Sequence, residues 1–258
     1  MSIVMSPSHA LAVALVQEAG ALALRFFARR DTLAMSTKGS LDFVSQADRE
    51  VEQHMAAAIA EAFDGAHLYG EEGGGQTSDD YWIVDPIDGT SNFLRGSPLW
   101  GISLAHMTHS QPDIGVIHYP VLGITLSAET GGGLFVNGKP STRDDAFGAA
   151  RVVAVGENNR WEVDSIGQVE RHFRMKRWGI AQYRCASISL GFAALGRTDG
   201  YVERFLSLWD LAAGVLICQE AGLESRWGGD AVAQGMWVAV GTSALMEDLQ
   251  PISNAITG

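Results

Sequence analysis

The sequence predicts a mixed α/β fold whose first half is rich in antiparallel strands and whose second half is more parallel. Two patterns carry that expectation. Between residues 100 and 139, short β-prone runs follow one another with only Pro, Gly and Asn between them, which reads as an antiparallel sheet. Beyond residue 152, strand-like and helical runs alternate, as in α/β units. With 258 residues and 47% hydrophobic content, the chain can bury a substantial core as one large domain or two small ones. The small, polar stretch around residues 141–148 marks a boundary. Residues 1–145 are therefore read as an N-terminal α+β half and 146–258 as a C-terminal α/β half.

The elements follow in order. Ser6-Pro7 is an N-cap with proline at the first helical position. The helix it opens runs to about Arg30, with Leu11, Leu15, Leu22 and Phe26 on one face. A second helix spans about Gln46 to Phe63, with Val51, Met55, Ile59 and Ala62 inward. A short strand ends near Gly70. Trp82, Ile83 and Val84 form a buried strand that Pro86, lacking a backbone donor, ends at Asp85. Strands follow at Trp100 to His106, Asp113 to Tyr119 and Ile124 to Glu129, and Asn137-Gly138 is a hairpin turn. Gly131 to Gly133 lack a strand–glycine–helix context and read as a loop, not a phosphate cradle.

In the second half, residues 152–155 form a strand, 162–173 a helix, and 182–186 a strand leading into a helix from about Ser187 to Leu195. Gly200 to Glu203 is a further strand. A helix then begins near Asp210 and ends before Gly222. Trp227 to Asp230 is a turn, Met236 to Val240 the closing strand, and the C-terminal residues are helical.

Composition excludes several classes of function. The net charge of −12, from 18 basic and 30 acidic residues, argues against nucleic-acid binding. It leaves a phosphorylated substrate open, because bound cations reverse the local field. Cys185 and Cys218 sit in apolar contexts and form no Cys-x-x-Cys pair, and no His-Glu-x-x-His pattern exists. His106 and His109 read as surface or loop residues. No uninterrupted apolar run reaches about 18 residues and no signal-peptide pattern is present. The expectation is a reduced, cytoplasmic location with no membrane and no nucleic-acid partner.

The chemistry concentrates in Trp82-Ile83-Val84-Asp85-Pro86-Ile87-Asp88-Gly89-Thr90-Ser91-Asn92-Phe93. Asp85 and Asp88 stand around a tight turn at a strand end. Gly89 lets the backbone approach a ligand, and Thr90-Ser91-Asn92 opens a helix. Two carboxylates beside helix N-terminal amides suit a divalent cation carrying a phosphate.

This stretch closely resembles the Asp-Pro-Ile-Asp-Gly-Thr-x-Asn-Phe signature of the inositol monophosphatase family. Three other segments extend the resemblance. Residues 38–48 resemble the family's Lys-x-x-x-Asp-x-Val-Thr-x-x-Asp stretch, with Ser45 in place of Thr and a spacing one residue shorter. Residues 70–72 resemble its Gly-Glu-Glu motif. Trp209-Asp210-Leu211-Ala212-Ala213-Gly214 resembles its Trp-Asp-x-Ala-x-Gly motif. The resemblance implies alternating layers of helices and sheets of the sugar-phosphatase type, usually in a homodimer. It also implies hydrolysis of a phosphomonoester with two or three Mg²⁺ ions, and inhibition by Li⁺.

The resemblance also implies residue roles. Glu71, Asp85 and the Ile87 carbonyl would bind one ion; Asp85, Asp88 and Asp210 the other. Glu71 and Thr90, with Asp48 behind Thr90, would orient the attacking water. Asp48 equally complements its helix dipole, and the two readings are compatible. Asp88, Gly89, Thr90, Ser91, Arg184 and Glu203 fall on the substrate side. Arg184 is also readable as a dimer-edge or strand-edge residue, and Glu203 as an exposed strand-end acid. The substrate is a small phosphorylated metabolite: inositol 1-phosphate first, histidinol phosphate second, a nucleotide third. The alternative of another class is a protein partner in an RNA-processing or transcription assembly.

Overall fold

The structure, a computed structural model, describes residues 4–257 except 34, 40–41, 76–77, 146–147, 232 and 234; for 35–39 and 42–45 only the backbone is described. The side chains of the segment 38–45, part of the second family-like stretch, therefore lie outside the described residues.

Helix α1 (Pro7–Phe27) opens on Ser6, whose hydroxyl accepts the His9 amide at 3.1 Å. Its buried face carries Ala12, Val16, Ala19, Ala23 and Phe26. These recur at helical spacing and are mostly small, so the helix lies close to its neighbours. Leu11 falls off that stripe and faces solvent, contrary to the sequence expectation. By length and apolarity α1 could cross a membrane, yet its inner face packs on the body of the protein. A hairpin that the sequence reading did not anticipate follows, β1 (Met35–Gly39) with β2 (Asp42–Ser45). Helix α2 (Gln46–Ala62) buries Val51, Met55 and Ile59 as expected.

Next come β3 (Leu68–Gly70), β4 (Asp80–Asp88), α3 (Thr90–Arg95), β5 (Gly101–Thr108), β6 (Gln111–Tyr119), β7 (Ile124–Glu129), β8 (Leu134–Val136) and β9 (Lys139–Ser141). They form a seven-stranded sheet in the order β3-β4-β5-β6-β7-β8-β9, antiparallel except where β3 runs parallel to β4. Asn137 and Gly138, both at positive φ, make the β8–β9 turn. The glycine loop at 131–133 does cradle an anion, but one of the chain's own: Gly131 and Gly133 amides each donate to the Glu220 carboxylate at 2.8 Å.

The second half comprises β10 (Val152–Val155), α4 (Val163–Met175), β11 (Gly179–Ala181), α5 (Ala186–Ala194), β12 (Gly200–Leu206), α6 (Leu208–Glu220), β13 (Glu224–Asp230), β14 (Gly235–Gly241), α7 (Ser243–Leu249) and α8 (Asn254–Thr257). Its five-stranded sheet runs β11-β10-β12-β14-β13. The β11–β10 and β10–β12 pairs are parallel and the other two antiparallel, so this sheet is mixed and the more parallel of the two. Two local expectations are corrected. The strand expected at 182–186 lies upstream, at Gly179–Ala181, because Arg184 adopts a left-handed φ of 55° that breaks extension before α5. The turn expected at Trp227–Asp230 is the end of β13, paired along β14.

Side-chain alternation along the strands builds the layers. Trp82 and Val84 join the core under α1 and α2. Tyr81 and Ile83 point the other way, into a core shared with α5, α6 and the inner face of the five-stranded sheet. Val153, Val155 and Val202 face outward from that second sheet, under α4, α7 and α8. Helices and sheets therefore alternate through the molecule, as the resemblance implied.

Candidate active site

Pro86 does not end β4. The ladder pairs Asp85 with Ser103, then resumes with Asp88 opposite Gly101. Three steps on β4 match two on β5, so an extra residue is accommodated as a bulge. The bulge has a chemical consequence. In a regular strand, residues three apart point to opposite faces. The extra residue turns Asp85 and Asp88 to the same place. The Asp85 carboxylate accepts the Ile87 amide across the bulge at 3.0 Å.

Asp210 arrives from the first turn of α6, where its carboxylate accepts the Ser207 amide at 2.7 Å. The same carboxylate thus caps α6 and faces the site. Carboxylate oxygens of Asp85, Asp88 and Asp210 all lie within 4.8 Å of one another. Asp88 is clamped by the start of α5. It accepts the Ser187 amide at 2.5 Å, the Ala186 amide at 3.3 Å and the Cys185 thiol at 3.2 Å. Gly89 follows at φ 86°, and a Cβ there would stand 3.1 Å from that of Cys185 and 3.2 Å from the Leu99 carbonyl oxygen. The glycine is needed for both backbone and space.

Electrostatics set the character of the site. Burial, then the charges of Glu71, Asp88, Asp210 and Asp48, push the Asp85 carboxyl well above the usual carboxylate range. Burial, then Asp88 and Glu71, do the same to Asp210. Asp88 is raised by burial, with the hydrogen bonds from Ser187, Cys185 and Ala186 pulling it back. Two buried acids and a half-buried third held this close are costly in their charged form. An all-oxygen set of this kind fits a hard divalent cation, which would remove the repulsion.

Around the three stand the other expected residues. Thr90 Oγ1 lies 3.2 Å from Asp48 Oδ1 and 3.0 Å from the Ile87 carbonyl oxygen. Asp48, almost fully buried in the first turn of α2, thus reaches across to α3. The Ile87 carbonyl is engaged by Thr90. Glu71 follows Gly70, which pairs in register with Val84, so it emerges beside Asp85. It stands outside the 4.8 Å group, though its charge acts on two of the three members.

A cavity of about 480 Å³ opens onto this cluster. Asp88, Gly89, Thr90, Ser91, Arg184, Glu203 and Asp210 line it, so all six residues expected on the substrate side share one space. Arg184 is exposed at its edge. Glu203 is no exposed acid: it is 8% accessible, and Tyr201 Oη donates to one carboxylate oxygen. Asn158 Nδ2 donates to the other at 2.9 Å. Burial pushes the Glu203 carboxyl up to about 7, against the lowering effect of these two hydrogen bonds.

Sequence reasoning missed four contributors. Glu52 accepts the Glu72 and Gly73 amides at 2.8 and 2.6 Å and so pins the loop that carries Glu71. Its signal was present: Glu52 is one helical turn after Asp48, on the same face of α2. Tyr201 and Asn158 could be found only once β12 and the loop after β10 were paired. Cys185 reads as core from sequence, and its contact with Asp88 across 97 residues is a tertiary fact.

The geometry can be set beside known proteins. The model of the inositol monophosphatase family matches residues 5–249. An inositol-1-monophosphatase of Mesorhizobium japonicum is 36% identical over 216 residues, covering 80% of this chain and 79% of that protein. A histidinol-phosphatase of Chlorobaculum parvum is 32% identical over 236 residues, 84% of this chain and 85% of that one. The crystal structure of the extragenic suppressor protein suhB from Bartonella henselae superposes with a TM-score of 0.85 at 30% identity, covering 97% of this chain and 100% of that one. The chain is a member of the inositol monophosphatase family and a phosphomonoester hydrolase.

Proposed function

We propose that this enzyme hydrolyses a small phosphorylated alcohol with two or three Mg²⁺ ions held by Glu71, Asp85, Asp88, Asp210 and the Ile87 carbonyl. The observation that carries this reading is the three carboxylates within 4.8 Å, Asp85 and Asp88 buried and Asp210 half-buried, the last two facing the cavity. When bound, Mg²⁺ supplies Lewis acidity toward water and phosphate oxygens and neutralises developing negative charge. The rest falls to the chain. Asp48 and the Ile87 carbonyl hold the Thr90 hydroxyl, and Thr90 with Glu71 orients water for in-line attack on phosphorus. Glu52 fixes the loop that presents Glu71. Asp88, Gly89, Thr90 and Ser91 form the wall against which the phosphate rests. Neither cysteine is a candidate nucleophile, since both are buried and burial pushes their thiols well up.

Residues 1–145 then supply Asp48, Glu71, Asp85, Asp88 and Thr90, and residues 146–258 supply Asp210 with the alcohol-side residues Arg184 and Glu203. Inositol 1-phosphate is the first candidate substrate, with Glu203 meeting a ring hydroxyl. Histidinol phosphate is the second, with Glu203 meeting its ammonium. A homodimer in solution and inhibition by Li⁺ belong to the same reading.

The test is phosphate release from both esters, with Mg²⁺ and with chelator. Mg²⁺-dependent turnover that strongly favours one ester supports the reading and selects the substrate. Equal, slow turnover retains the chemistry and points to another ester. No release from either moves the weight to the protein-partner alternative.

A further inference from the structure

Among the described residues, seven other than glycine have positive φ. Asp64, His109, Ser110, Asn137 and Arg177 occupy turns, where such conformations are common. The remaining two, Arg184 and Phe205, line the cavity. Phe205, at φ 65°, is the one that lies inside a strand. A phenylalanine has no polar side chain to favour the left-handed region, so its surroundings must impose it.

The imposing feature is a second bulge. In the β12–β14 ladder, Arg204 pairs with Trp237 and Leu206 with Met236, leaving Phe205 as the extra residue. The bulge exchanges two side chains between faces. Regular alternation would put residue 205 with Tyr201 on the central-core side and residue 206 with Val202 on the outer side. Instead Leu206 joins the central core, and Phe205 packs against the outer core while forming part of the cavity wall. Two guanidinium groups stiffen the ring, Arg204 at 4.5 Å and Arg160 at 5.2 Å from its centroid. Arg160 is itself tied to the Ala233 carbonyl at 2.9 Å.

The cavity consequently has two chemically different regions. One holds the carboxylate cluster with Glu203 and Asn158. The remaining wall carries Phe205, Ile166 and the exposed Val163, with Arg160 over the Phe205 ring. An aromatic face offers a fully hydroxylated ring no hydrogen bond, whereas a flat ring can stack on it.

Resting on the phosphatase reading, we propose that Phe205 is a specificity-determining residue whose ring, turned into the cavity wall by the β12 bulge, selects phosphate monoesters whose alcohol bears a planar ring. This reverses the order of candidates: an imidazole-bearing or purine-bearing ester is preferred to a cyclic polyol.

The test compares wild type with Phe205→Gly, a change the local backbone accepts because φ 65° is open to glycine. Four esters are assayed with Mg²⁺: histidinol phosphate, a purine nucleoside monophosphate, inositol 1-phosphate and the acyclic glycerol 2-phosphate. The wild type should show a kcat/KM at least about tenfold higher for one planar-ring ester than for inositol 1-phosphate. The variant should raise KM for that ester about tenfold, with kcat nearly unchanged and glycerol 2-phosphate parameters within about twofold. Equal changes for all esters, or an unchanged KM for the planar-ring ester, would overturn the proposal and leave the phosphatase reading intact. A preference of the wild type for inositol 1-phosphate would do the same. Release from none of the four esters by the wild type would overturn both.

Discussion

Asp85 is the proposed metal ligand whose carboxyl burial and four neighbouring acids push well above the usual carboxylate range. Its carboxyl is buried and faces three other acids of the site and Asp48. Asp85→Asn should therefore lower kcat/KM by at least about a hundredfold while raising the melting temperature of the metal-free protein. Steady-state kinetics and a chelated melting curve read the two effects, and an unchanged rate would remove Asp85 from the mechanism. Glu203 makes a separate prediction. Its folded pKa of about 7 stands above the ordinary 4.5, so the fold prefers the protonated acid. The stability this confers is fully present below about pH 4.5 and is lost as pH rises through 7. Glu203→Gln should melt above wild type at pH 8, by an amount bounded at roughly 3 kcal/mol, and near wild type at pH 5.

At the scale of elements, two bulges and one helix face assemble the site. The β4 bulge brings Asp85 and Asp88 together, and the β12 bulge turns Phe205 to the cavity. Helix α2 places Asp48 against Thr90 and Glu52 against the loop after β3, so a single face holds two groups of the proposed mechanism. Glu52→Gln retains one good acceptor of the two. We expect the Mg²⁺ concentration for half-maximal activity to rise about tenfold, with kcat at saturating Mg²⁺ little changed. A Mg²⁺ titration of intrinsic tryptophan fluorescence should show the same shift without substrate. His106 ties β4, β5 and β6 on the far side of the sheet. It contacts Asp113 at 2.6 Å and Asp80 at 2.7 Å. Burial lowers its pKa, but the two carboxylates outweigh burial and leave it raised. Its stabilisation is thus present below pH 6.5 and lost as pH climbs through the raised value. The melting-temperature gap between wild type and His106→Asn should be larger at pH 6 than at pH 9.

For the whole molecule, the layered packing holds acids from β4 and α6 in a common buried volume. The cost of that arrangement is electrostatic. Because Asp85, Asp88 and Asp210 all have raised pKa values, protons compete with Mg²⁺ for them. Mg²⁺ at about 100 times its Kd should contribute about 2.7 kcal/mol, which is several degrees in a domain of this size. The shift should grow between pH 6 and pH 8. A shift that is absent, or that shrinks with rising pH, would contradict the carboxylate cluster as the binding site.

The sequence by itself determined the family, the mixed α/β class and the residues of the central motif. Those properties are local: a run of β-prone residues, a proline, a glycine and an ordered set of acids identify themselves wherever they fold. The Asn137-Gly138 turn and the Ser6-Pro7 helix start were legible for the same reason. The tertiary structure alone decided which side chains meet. Strand alternation has a period of two, so one inserted residue reverses every facing beyond it, and no composition pattern marks where the insertion falls. That is why Asp85 and Asp88 converge and why Phe205 reaches the cavity; Glu203 precedes its bulge and is buried because Asn158 reaches it from the loop after β10 while Tyr201 shares its face of β12. The face of α1 was misread at Leu11 for a related reason: Gln17, Glu18 and Arg25 are too few to outline a polar side, so apolar residues surround most of the helix and only its neighbours choose the small-residue stripe.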